Sequence, residues 1–173
     1  MAFFWDYIID ENWRAGVTIY GDCCYVLNDA TLLTTLQAPS WCRCCRNVVA
    51  GEVVPSIEEI EREFRELNDP NDKIHQCFSR MMIKRMLADA RLRLQWRPKR
   101  RSDPRCLKCQ STDIVNISGD IVIDPVSGTR MRLVAGGHAS MAYEIRRRLT
   151  PEGFVLESDN KGYSDLFDST DTD

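Results

Sequence analysis

Histidine is nearly absent from this chain: its 173 residues include two, His75 and His138. A nucleophile–histidine–acid arrangement therefore has few ways to form. No His-Glu-x-x-His, no His-x-Glu and no Gly-x-x-x-x-Gly-Lys-Ser/Thr pattern occurs. No apolar run approaches the ~20 residues of a membrane span. The opening Met1-Ala2-Phe3-Phe4-Trp5-Asp6 lacks the basic region, long apolar stretch and small-residue cleavage site of a secretory signal. A large charge excess is missing too, since a formal net charge of −3 gives no global attraction to nucleic acid or an anionic membrane. These absences set the expectations of a cytoplasmic, reducing setting, no membrane partner and no assigned catalytic residue.

Cysteine is what the chain has. Eight cysteines without an export signal favour metal binding over disulfides. Trp41-Cys42-Arg43-Cys44-Cys45 and Arg105-Cys106-Leu107-Lys108-Cys109 each contain a C-x-x-C knuckle. Together Cys42, Cys45, Cys106 and Cys109 supply the four thiolates of one closed tetrahedral structural site. Zn²⁺ is the expected ion, although thiolate-only ligation also suits iron. The knuckles are 60 residues apart, far more than the ~15–20 of a compact ribbon. The chain must leave the metal, build something and return; the alternative is two unrelated pairs of thiols. Cys44 is spare in this register. Of the adjacent Cys23 and Cys24, at most one can face a given site from a strand, as a supplementary ligand or as a small core residue.

Cys106-Leu107-Lys108-Cys109-Gln110-Ser111 resembles the knuckles of the broad zinc-ribbon group, which has Gly where Gln110 stands. The resemblance covers the two knuckles and the hairpin expected after them. It implies a metal-clamped β module, and zinc ribbons serve too many roles to transfer one.

The fold class read from the pattern is α+β: a split zinc-ribbon-like β module with an inserted antiparallel helical hairpin. One domain over 1–156 is expected, with knuckles at 42–45 and 106–109 and the helical insertion at about 56–97. The first helix opens on Ser56 and Glu59, spaced as a capping box, and carries Ile57, Ile60, Phe64 and Leu67 on one face. The second is expected from Lys73 to Arg97, with Ile74, Phe78, Met81, Met82, Met86, Ala90 and Leu94 as its apolar stripe. Strands are expected at 17–20, 25–27, 48–54, 114–117, 121–123, 130–134 and 154–156. Thr31–Leu36 reads as a helical turn and a half, Gly136-Gly137 as a turn or hinge, and Ala139–Leu149 as a short helix. Residues 157–173 hold six acids against one lysine, a composition read as a disordered tail.

Arg97, Lys99, Arg100, Arg101, Arg105 and Lys108 surround the second knuckle with only Asp103 opposing. They are the candidate nucleic-acid contacts, or a solvated linker following a helix. Trp41 is placed either over the thiolates or in the core. With no reaction indicated, the first functional reading is a zinc-stabilised protein-interaction module, adaptor or inhibitor-like, with another protein as partner. The second is a nucleic-acid-binding ribbon using 97–108.

Overall fold

The computed structural model describes residues 2–20, 22–139 and 147–158. Its strands are β1 (Ala2–Ile9), β2 (Trp13–Tyr20), β3 (Cys23–Val26), β4 (Leu32–Thr34), β5 (Leu36–Cys42), β6 (Asn47–Val53), β7 (Ile114–Asn116), β8 (Ile121–Ile123), β9 (Arg130–Ala139), β10 (Arg147–Leu149) and β11 (Val155–Ser158). Its helices, α1 (Ile57–Asn68), α2 (Ile74–Cys77) and α3 (Arg80–Trp96), all fall between β6 and β7. The class is α+β, with the helices inserted between the two knuckles.

Three sheets form, in the orders β2-β1-β9-β8, β11-β10-β3-β4 and β6-β5-β7. Pairing is antiparallel except between β10 and β3. Asp10 and Glu11 both take positive φ between β1 and β2 and let Ile9 sit opposite Trp13, the backbone twist a tight hairpin wants. Alternation then turns Tyr7, Ile9, Ala15 and Val17 inward, where they pack on Trp41 and Val48 of the third sheet, on Ile117 just past β7 and on Met131. A second cluster joins Tyr25, Leu33 and Leu149 to Trp96 at the end of α3 and Leu107 of the second knuckle.

The helical insertion is an antiparallel pair. Pro55 O accepts from Arg97 Nε, Glu63 pairs with Arg93, and Leu67 packs with Ile83. The capping box at α1 is complete, with Ser56 Oγ accepting from Glu59 N and Glu59 Oε2 from Ser56 N. Ile60 and Leu67 are buried, Phe64 is half-buried and Ile57 lies at the rim.

Four expectations are corrected. Thr31–Leu36 is extended, because Leu33 is buried opposite Tyr25 while Leu32 faces out, an alternation only a strand gives. The helix expected over 73–97 is interrupted: Phe78 is extended and Ser79 caps a new helix by accepting from Met82 N. The restart brings Ile83 into the core and leaves Met81 79% exposed, while Ala90, Ile74 and Met86 of the expected stripe pack in the same cluster. Gly136 and Gly137 lie within β9, paired with Trp5 and Phe4, where a Cβ at 136 would stand 3.0 Å from the Trp5 ring. Of the helix expected over Ala139–Leu149, Ala139 ends β9, Arg147–Leu149 form β10 beside β3, and the residues between lie outside the described ones. The tail expected at 157–173 also lies outside them beyond Ser158, where β11 ends.

One buried ion pair ties the insertion to the sheets. Arg100 follows α3 and donates to both carboxylate oxygens of Glu52 on β6, at 3.1 and 2.7 Å, with both side chains fully buried. Its remaining donors reach the Ser102 and Asp103 carbonyls, and its guanidinium lies 5.4 Å from the Tyr25 ring and 5.3 Å from the Trp96 ring. Gly153, at φ +84°, closes the cage: a Cβ there would sit 2.6 Å from Glu52 Oε1.

Removing Glu52 alone leaves a guanidinium buried without its counter-charge, so Glu52→Ala is expected to cost about 3–5 kcal/mol in urea unfolding. The apolar double replacement Glu52→Leu/Arg100→Met is expected to recover part of that loss. A Glu52→Ala cost below about 1 kcal/mol would show that the pair does not hold the insertion in place.

Candidate metal centre

The first knuckle is the turn that joins β5 to β6. Cys42 ends β5 between Asn47 and Ile114 of its neighbouring strands. The chain reverses over 43–46, with Arg46 in the left-handed region at φ 49°. Cys45 N then points at Cys42 Sγ, 3.4 Å away.

The second knuckle is delivered by residues 105–107, which lie along β6 as a short added strand. Glu52 N donates to Arg105 O at 2.9 Å, Leu107 N donates to Ala50 O at 3.0 Å, and Gly51 bridges to Cys106. Gly51 is required there, since a Cβ would fall 2.2 Å from Ser40 Oγ. Cys106 Sγ receives Lys108 N at 3.3 Å and Cys109 N at 3.4 Å, donors that spread a thiolate's charge. Gln110 closes this knuckle in the left-handed region at φ 66°. Its side chain compensates for the absent glycine: Nε2 donates to Cys106 O and Oε1 accepts from Val155 N of β11.

The four sulfurs converge. Cys42 Sγ lies 3.6 Å from Cys109 Sγ, Cys45 Sγ lies 3.9 Å from Cys106 Sγ, and all four are within 4.8 Å of one another. A tetrahedron with Zn–S bonds of ~2.3 Å has S···S edges of about 3.8 Å, so the thiols could close on a tetrahedral ion with shifts of no more than about 1 Å in any separation. Cys42 and Cys106 are fully buried, Cys45 is half-buried and Cys109 closes the open side. Val49 and Ile114 pack against the cluster.

Electrostatics argue the same way. Burial, followed by the neighbouring thiols, pushes Cys42 up to about 11 against the pull of the Cys45 backbone N–H. Burial and the Cys109 and Cys42 thiols also raise Cys45. Cys109 differs: burial opposes its ionisation, but the Ser111 N–H and the other three thiols outweigh it and bring it to about 7. One negative charge is thus favoured near neutrality, while Cys42 and Cys45 resist a second. A divalent cation removes that repulsion and displaces the remaining protons.

Two carboxylates outside the cluster hold the knuckles. Asp124, fully buried in the β8–β9 turn, accepts from Arg43 Nε at 3.1 and 2.9 Å and from Arg43 Nη2 at 2.6 Å, and Arg43 also pairs with Asp113. Glu52 Oε2 accepts Arg105 N at 2.9 Å beside its bond to Arg100. Sequence reasoning passed over both. An isolated acid inside Val48–Val54, a run otherwise apolar, was the available sign for Glu52.

The other expected residues divide. Cys44 is exposed beside Cys109 and outside the four-thiol group. Cys23 is a buried core residue of the second cluster, and Cys24 also stands apart from the metal group. Trp41 alternates away from Cys42 into the core rather than over the thiolates, and its Nε1–H has no acceptor among the described residues. Of the six cations at 97–108, Arg100 is enclosed with Glu52 and cannot reach a surface ligand. Arg97 donates to Pro55 O, and Arg105 lies 4.0 Å from the Phe154 ring and donates to Gln110 O. Lys99, Arg101 and Lys108 are exposed. No protein-family model, curated protein or solved structure matches this chain.

Arg43, then the Ser127 hydroxyl and the Val126 and Ser127 N–H groups, hold the Asp124 carboxyl well below its usual range despite burial. A depressed folded pKa contributes stability that is complete above the unfolded value of about 4 and is lost as pH falls through the folded one. Thermal unfolding followed from about pH 5 to pH 2 should therefore show a shallower acid limb for Asp124→Asn than for the wild type. The ligand set is tested with single thiols. Cys109→Ser should lower metal affinity at least about tenfold in chelator competition, whereas Cys44→Ser should leave it unchanged.

Proposed function

We propose that this chain is a zinc-clamped, non-catalytic protein-interaction module in which the metal is structural. The convergence of four thiols from knuckles 60 residues apart carries this reading. A tetrathiolate site keeps no open coordination position for substrate or water, so its natural work is to fix geometry. Zinc suits the set because it accepts four sulfurs tetrahedrally and has no redox chemistry of its own.

A surface suited to a protein partner is present on the insertion. Phe78, Met81 and Met82 are exposed at the start of α3, and the cations Arg80, Lys84 and Arg85 stand beside them without an acid in 78–88. Flexible, polarisable Met side chains repack readily against an apolar partner, and clustered exposed apolar residues mark such surfaces. The nucleic-acid reading has less to rest on, because Arg100 is enclosed and Arg97 and Arg105 are engaged within the chain. No helix among the described residues is long and apolar enough to cross a membrane.

Protein purified without added metal should carry about one zinc per chain by elemental mass spectrometry. The Cys42/Cys45/Cys106/Cys109→Ser variant should lose both the zinc and cooperative unfolding. Metal-free wild type under reducing conditions would sink the clamp. For the partner, metal-loaded wild type and the Met81→Glu/Met82→Glu variant are compared in affinity capture. Proteins held by the first and released by the second are expected, and identical retention would remove this surface from the proposal.

A further inference from the structure

The three sheets leave a cleft of about 330 Å³ where they meet. Thr18 comes to it from β2, Cys23 from β3, Gln37 from β5, Asn47 from β6, Lys108 from the second knuckle and Arg147 from β10. Every sheet therefore contributes a wall, and so does the metal turn. The lining includes no aspartate or glutamate among the described residues, while it includes two cations.

Neither cation is neutralised within the described structure. Lys108 uses its backbone N–H on Cys106 Sγ, and its ammonium has no acidic partner among the described residues. Arg147 donates through Nη1 to Leu107 O at 2.7 Å, which fixes the guanidinium on the knuckle. Its Nε and Nη2 have no partner among the described residues. A guanidinium held at one nitrogen keeps a two-pronged edge for an oxyanion, and an ammonium supplies a mobile point charge beside it. A ligand for this lining is thus doubly anionic at one end. Burial raises the Cys23 thiol to about 11, so Cys23 enters as a neutral wall and not as a nucleophile.

We propose that this cleft binds the phosphate group of a small phosphomonoester, with Lys108 and Arg147 on the phosphate oxygens. A phosphomonoester is close to dianionic at neutral pH, which matches the two cations. The cleft volume lies at the lower end of small-molecule sites, so a metabolite-sized ester fits and a folded partner does not. The inference stands apart from the protein-interaction reading, since the cleft lies among the sheets and the exposed Met surface lies on the insertion.

The test titrates metal-loaded protein by calorimetry, at matched ionic strength, with ribose 5-phosphate, glycerol 3-phosphate, inorganic phosphate, ribose and chloride. Saturable binding of the esters is expected, weaker binding of inorganic phosphate, and none of ribose or chloride. Equal binding of inorganic phosphate and the esters would overturn the ester and leave an oxyanion site. Lys108→Gln should weaken ester binding about tenfold to a hundredfold, the range for losing a hydrogen bond to a charged group. Lys99→Gln, which changes an exposed cation away from this cleft, should leave it unchanged. An equal loss in Lys99→Gln would mean diffuse attraction by the basic segment and would overturn the site. Loss of zinc retention in Lys108→Gln with ester affinity intact would assign Lys108 to charge balance of the doubly negative tetrathiolate, and would overturn it as well. Circular dichroism and metal content of each variant separate these results from misfolding.

Discussion

The docking of residues 105–107 along β6 is the contact on which the rest depends. Together with the β7–β5 pairing that sets Ile114 opposite Cys42, it fixes the second knuckle against the first across 60 intervening residues. Two backbone hydrogen bonds and the Gly51–Cys106 bridge set the register. A single-residue slip in such pairing would turn Cys106 to the opposite face. Glu52 fixes that register from within. The same carboxylate accepts from the Arg105 backbone and from the Arg100 guanidinium, so it reads both the incoming segment and the end of the insertion. A buried charge pair is weak evidence for stability but a specific device for register. Here its position, beside the turn that must find three other sulfurs, gives it that second use.

The knuckles are also braced from the outside by elements the metal does not touch. Arg43 carries the first knuckle onto Asp124 of the β8–β9 turn, and Gln110 carries the second onto β11. Each bracing residue sits inside or next to a C-x-x-C turn. The two turns are therefore held in orientation by hydrogen bonds that do not pass through the sulfurs.

The four cysteines that converge were legible in the sequence because knuckle spacing is a local property and ligand number is a chemical one. The capping box of α1 was legible for the same reason. What failed were inferences that carried a period across a break. Ser79 restarts a helix one residue after the extended Phe78, so spacing counted from Ile74 misplaces Phe78, Met81 and Met82 while Ile74, Met86 and Ala90 still meet the core. Thr31–Leu36 and Arg147–Leu149 failed through partners distant in sequence: β3 recruits both β4 and β10, and Leu33 and Leu149 are buried by that pairing. The basic segment shows the limit of charge counting. Arg100 looks like its neighbours in sequence and is the one residue among them wholly committed to the interior.

A metal clamp of this kind should not be treated as a slow disulfide. A covalent cross-link closing a loop of this length would stabilise by about 4 kcal/mol, through entropy removed from the unfolded chain. An ion held by four thiolates leaves when the knuckles separate, so the unfolded chain keeps its freedom. The stabilisation is instead a binding free energy, which grows by about 1.4 kcal/mol for each tenfold rise in free metal above the dissociation constant. The Glu52–Arg100 cage and the bracing of Arg43 and Gln110 make no such demand on metal supply. With an ion at the four thiols the fold would rest on two supports with different dependences, one fixed by the sequence and one set by its surroundings. Lys108 lies where they meet, in a turn shaped by the thiolates and facing the cleft among the sheets. Arg147, held on Leu107 O, ties the cleft's second cation to the same turn.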